Sequence, residues 1–165
     1  MAAKHPTAWV EFETDTITEE ELFAKFFSDG RQFDGSALVA YMVARYRLVD
    51  GMEALLGALR AGGVEMHACS NYPSWHTHIE RKLELSRFLD WTFVSCAGPM
   101  RGHRKPALES YASAVAHLGR PASELILVDD RMPNVEGARA AGLQAIHFQD
   151  AAQLERELRQ SGLVF

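Results

Sequence analysis

The chain has 165 residues, 47% of them apolar and 24% charged, and a formal net charge of −5. That length suits one domain with one substantial core, and the composition excludes a disordered or low-complexity chain. The negative balance argues against nucleic acid and anionic membrane as partners, and no apolar run approaches the roughly 20 residues of a membrane span.

The first part of the chain reads as helical. Thr18 and Glu21 form a T-x-x-E capping box ahead of Leu22, Phe23, Phe26 and Phe27, with Ser28, Asp29 and Gly30 ending the helix. Ser36 is positioned to cap a second helix carrying Leu38, Tyr41, Met42 and Arg45. Asp50 is positioned to cap a third, in which Met52, Leu55, Leu56 and Leu59 share a face and Gly62 and Gly63 stop it. The rhythm then changes. Val64 to Cys69 reads as a strand, Trp75, Ile79 and Leu83 as a helix, and Trp91 to Cys96 as a second strand. Leu108, Tyr111, Ala112, Val115 and Leu118 mark a long amphipathic helix. Leu125 to Val128 is a strand ending on Asp129 and Asp130, Pro133 suits a first helical position, and Gly142 is a left-handed stop. Ala145 to Phe148 and Ala151 to Gln160 supply a last strand and a closing helix. Strands alternating with helices predict an α/β fold, a parallel sheet with helices on both faces. The expected layout is a helical segment over residues 8–48 and an α/β core over 49–165.

Three places carry polar residues that bear on chemistry. Ser70 and Asn71 directly follow a strand, where a hydroxyl, an amide and free helix N–H groups can cradle an anion; turn formation and capping explain them equally. Lys105 precedes Pro106 and a helix, suited to a phosphate or to plain solvation. Asp129 and Asp130 are adjacent carboxylates at the carboxyl end of a buried strand, where open parallel sheets bind ligands. Oxygen ligands of that kind suit Mg²⁺, whereas a helix-capping role explains one aspartate of the two. His67, mid-strand, is expected to be buried and hydrogen-bonded, and His76 and His78 are wrongly spaced for a shared zinc ion. Cys69 and Cys96 lie in apolar strand-like runs, as free thiols in a reducing compartment do.

Taken in order, strand-Ser-Asn, Arg-Lys-Pro and strand-Asp-Asp-Arg-x-x-Asn-x-x-Gly-Ala-x-x-Ala-Gly resemble the haloacid dehalogenase-like (HAD) superfamily of phosphatases and related hydrolases. Nearly the whole chain takes part, since WVEFETDTITEEELF is similar to the start of the small helical cap of those enzymes. The stretch SNYPSWHTHIERKLELSRFLDWTFVSC is similar to plant-type members resembling flavin mononucleotide phosphatases. The resemblance implies a Mg²⁺-dependent phosphoric monoester hydrolase acting on a small phosphorylated metabolite, in the cytoplasm or chloroplast stroma. Ser70, Asn71 and Lys105 would hold the phosphoryl group, Asp129 and Asp130 the metal, and Asn134 would support their loop. Trp9, Phe23, Phe26 and Phe27 would line a pocket in the cap or simply pack its core.

The same resemblance implies a nucleophilic aspartate on a central strand ending in Asp-x-Asp ahead of the cap. No such strand is present in this sequence. Glu13 and Asp15 mimic the spacing, but glutamate stands in the nucleophile's place, and a charged, solvated lead-in to the first helix explains them. The expectation is therefore a sheet lacking its central strand, which lies upstream of Met1, is supplied by another chain or copy, or is lost with the gap closed. Activity from this chain alone is expected to be absent and Mg²⁺ binding weak or absent, the alternative being a non-catalytic interaction or scaffold subunit.

Overall fold

The computed structural model describes residues 3–165. Three helices come first: α1 (Ala8–Glu13), α2 (Glu19–Lys25) and α3 (Gly35–Arg45). Thr18 caps α2 as the sequence predicts, its hydroxyl accepting from Glu21 N–H while the Glu21 carboxylate accepts from Thr18 N–H. Asp34, not Ser36, caps α3, since its carboxylate reaches the Ala37 N–H. These helices close on Ala8, Phe12, Leu22 and Trp75, with Trp9, Phe23 and Phe26 packed around them. Trp9 meets Phe12, Tyr72 and Trp75 edge to face. These rings serve the packing of the helical segment and do not line the slot described below.

The α/β part follows as α4 (Met52–Ala61), β1 (His67–Ser70), α5 (His76–Leu83), β2 (Asp90–Val94), α6 (Leu108–Leu118), β3 (Ile126–Asp129), α7 (Met132–Ala140), β4 (Gln144–His147) and α8 (Ala151–Gln160). Gly51, in the left-handed region at φ 81°, precedes α4 in place of the expected Asp50 cap. Both ladders are parallel, β1 with β2 and β3 with β4, and the strands β1 and β3 form no ladder with each other. The expected gap in the sheet is thus present among the described residues. The β3–β4 register is unbroken from Ile126↔Gln144 to Asp129↔His147, whereas β1–β2 slips by one residue between His67 and Cys69.

Helices cover both faces. Leu55 and Leu59 of α4 pack with Ile146, Leu154 and Leu158 on one side; Tyr111 of α6 and Ala138 of α7 pack with Leu127 on the other. Cys69 of β1 contacts this second cluster, so α6 and α7 hold the half-sheets to a common layer. Gly137 brings α7 close to the Lys105 loop, because a Cβ there would lie 2.8 Å from the Pro106 carbonyl oxygen. No helix of the described residues is long and apolar enough to cross a membrane.

Candidate active site

Ser70 ends β1, Lys105 lies in the loop before α6, and Asp129 ends β3, so the parallel strands deliver all three to the same edge of the molecule. They line one open slot of about 580 Å³, together with Asp130 and apolar side chains that include Leu56, Val128 and Phe148. Val128 is 37% exposed although it sits mid-strand, because its side of the sheet borders that slot.

Lys105 and Asp129 form a buried ion pair, Nζ to Oδ2 at 2.6 Å, with their side chains 7% and 5% exposed. The same ammonium donates to the Cys69 carbonyl on β1. Asp129 Oδ1 accepts from Arg131 N–H and from Asn134 Nδ2, each at 2.9 Å. Burial pushes the Asp129 carboxyl up, but the Lys105 ammonium and these two donors outweigh it and hold it below the usual carboxylate range. Asn134 is itself fixed where its carbonyl accepts from Tyr111 Oη at 2.7 Å, and its Oδ1 is buried without a partner. Asn134 thus reaches Asp129 directly from the first turn of α7.

Asn71 is placed differently from its expected part in an anion cradle. Its Nδ2 donates to the Lys105 carbonyl and its Oδ1 accepts from Lys105 N–H, both at 2.8 Å, so both ends of the amide are spent on the lysine's backbone. Ser70 stands beside it at the slot, half-buried, its carbonyl accepting from Ser95 N–H. Asp130 is exposed, and its backbone carbonyl accepts from His147 Nε2 at 3.0 Å.

Glu13 is not a solvated lead-in. It is 5% exposed at the end of α1, and its Oε2 accepts from Arg104 Nε at 2.8 Å and lies 2.6 Å from Nη2 in an ion pair. Its backbone carbonyl accepts from Ser95 Oγ at 2.6 Å, which in turn accepts from Tyr72 N–H. Glu13 and Arg104 are 91 residues apart, a separation at which no sequence spacing signals a pair. His67 is hydrogen-bonded as expected, to Thr92 Oγ1 at 2.8 Å. Cys69 and Cys96 are both free thiols.

The donors at the acidic corner are oxygens, as Mg²⁺ requires. Their arrangement does not fit a resident ion, because both Asp129 oxygens are already bonded. Among the described residues, no group of three or more His, Cys, Asp and Glu side chains is placed to hold a metal.

The haloacid dehalogenase-like hydrolase family matches residues 5–142. Flavin mononucleotide hydrolase 1 of Arabidopsis thaliana, a chloroplast protein, is 44% identical over 99% of this chain; the chain spans 65% of that protein's length. Sesquiterpene phosphatase astK of Aspergillus oryzae is 30% identical over 92% of this chain and 78% of its own. Among solved structures, the magnesium complex of the HAD family enzyme bt-2542 from Bacteroides thetaiotaomicron shares the fold. It matches at a TM-score of 0.71, with 18% identity over 92% of this chain and 80% of that one. The match over residues 5–142 covers most of the chain, and the chain belongs to the haloacid dehalogenase-like hydrolase family.

Proposed function

We propose that the chain is the greater part of a phosphoric monoester hydrolase. The observation that carries this is the meeting of Ser70, Lys105 and Asp129 at the carboxyl ends of β1 and β3. The Ser70 hydroxyl would donate to one phosphoryl oxygen and the Lys105 ammonium would neutralise another. Phosphoryl transfer asks for this kind of positioning and charge stabilisation more than for covalent chemistry by many groups. Asp129, bonded through both carboxylate oxygens, serves here as the partner of Lys105, and no step of this reading runs through a metal ion.

The missing element is a carboxylate nucleophile. We place it on an apolar strand seated between β1 and β3, ending in Asp-x-Asp, whether another part of the same protein or a second chain provides it. A small phosphorylated metabolite is the substrate class, with flavin mononucleotide the first to try because of the Arabidopsis relative. The cytoplasm or the chloroplast stroma is the compartment proposed alongside it, and two free thiols are in keeping with a reducing setting.

The test is hydrolysis of p-nitrophenyl phosphate and of flavin mononucleotide with Mg²⁺, with and without an extended apolar peptide ending in Asp-x-Asp. The chain alone should not exceed buffer, and turnover with peptide should be lost in Ser70→Ala. Turnover by the chain alone would overturn the missing-nucleophile reading. A peptide that binds in the slot without supporting turnover would sink the phosphatase reading.

A further inference from the structure

Lys105 is pinned at both ends. Its backbone is clamped by the two reciprocal bonds of Asn71, and its ammonium lies between the Cys69 carbonyl on β1 and Asp129 Oδ2 on β3. Those two strands form no ladder, so one side chain spans what backbone pairing leaves open. The ammonium is thus a buried cation held between one oxygen of β1 and one of β3.

We propose that Lys105 is this chain's built-in cation. It neutralises Asp129 in place of a divalent ion and staples the two half-sheets. Three observations bear on it. The ammonium occupies Asp129 Oδ2 directly, and a divalent ion could take that lone-pair region only by displacing it. Asp129 Oδ1 already has two N–H donors, and Asp130 on its own offers one exposed carboxylate. Asn71 prevents the lysine loop from drifting off, so the ammonium is retained by its backbone as well as by its charge. The staple is thus a contact that keeps the acidic corner closed to metal. The choice of Mg²⁺ as probe rests on the phosphatase reading, but the contacts of the lysine do not.

The experiment is titration calorimetry with Mg²⁺ on the intact 165-residue chain and its variants, with circular dichroism to establish folding. The parent should bind in the millimolar range or show no heat. Lys105→Met should bind Mg²⁺ at least about tenfold more tightly, since an uncompensated buried carboxylate recruits a cation. Lys105→Arg, which keeps a cation in place, should show no gain, and adding Asp129→Asn to Lys105→Met should remove it. Where Lys105→Met does not fold, Asn71→Ala decides, because it loosens the lysine without deleting it and should give a smaller gain in the same direction. A folded Lys105→Met that binds Mg²⁺ no better than the parent, or worse, overturns the proposal; so does an unchanged Asn71→Ala when it is the deciding variant. Because binding is measured and not turnover, failure here leaves the phosphatase reading to its own hydrolysis test.

Discussion

Arg104 and Lys105 are neighbours in sequence, and each pairs with a buried carboxylate, but the two reach into different parts of the molecule and are built differently. Arg104 grips Glu13 of α1 with Nε and Nη2 of a planar fork, and ties the helical segment to the α/β part. Lys105 meets Asp129 as a point charge with three donors, which it divides between Asp129 and the carbonyl of Cys69. Both Arg104 nitrogens converge on one oxygen, Glu13 Oε2, and the planar group cannot turn to another acceptor without losing both contacts at once. An ammonium can pass from one oxygen to another without a geometric penalty, which is what a residue must do if it is to turn from a carboxylate to a phosphate. The difference assigns a fixed bolt to Arg104 and an exchangeable contact to Lys105.

The largest effect should follow from Lys105→Met. Removing one partner of a buried pair leaves the other charged and uncompensated, which costs about 3–5 kcal/mol in typical proteins. Urea unfolding without Mg²⁺ should show a loss of that order, and Mg²⁺ should restore part of it by binding the folded form. Arg104→Met should cost less, about 2–3 kcal/mol, because the Arg104 side chain is 31% exposed and Trp9 Nε1 still donates to Glu13. Mg²⁺ should not rescue that variant. Rescue of both to the same extent would erase the distinction between bolt and exchangeable contact.

Gly137→Ala sharpens the comparison without touching a charge. The added Cβ would lie 2.8 Å from the Pro106 carbonyl oxygen and 3.1 Å from the Tyr111 ring, so α7 or the Lys105 loop must move. A loss of about 1–2 kcal/mol is expected, in the range of core overpacking. The shift should reach Lys105–Asp129 and spare Glu13–Arg104, which a crystal structure or chemical-shift map of the variant would reveal. A uniform change across both pairs would mean that they are not independent.

What was legible in the sequence was local. The capping box of Thr18 and Glu21, the face formed by Met52, Leu55, Leu56 and Leu59, and the left-handed stop at Gly142 all follow from residues within a few positions of each other. The order of Ser70, Lys105 and Asp129 was legible as a family pattern, and the missing strand as an interruption of it. Edges were less so: Val64 and Met66 alternate like a strand but pack as loop residues against α4 and α8, and β1 begins only at His67. The helix α1 has no side-chain cap, and burial of Phe12 and Glu13 against distant residues holds it. The parts Asn71 and Glu13 play depend on partners 34 and 91 positions away, which spacing does not encode. Polar residues at such positions look alike in sequence, whether they are to be solvated or buried.

The smallest effect is a pH dependence, and its sign separates the two states of Asp129. In the parent, burial opposes ionisation but Lys105 and the Arg131 and Asn134 donors prevail, so the folded carboxyl titrates below its unfolded value. The unfolded chain then binds more protons as the pH falls through about 4, and the stability this aspartate contributes above that range is lost. In Lys105→Met the strongest of the lowering influences is gone while burial remains, so the folded carboxyl moves up and protonation relieves it. The stability gap between parent and variant should therefore narrow from pH 7 toward pH 3, as read from urea midpoints across that range. For Arg104→Met the Asp129 contribution to the gap should not change. A Lys105→Met gap that stays constant or widens on acidification would mean that Asp129 does not depend on the lysine for its charge, and the exchangeable contact would then have no electrostatic basis.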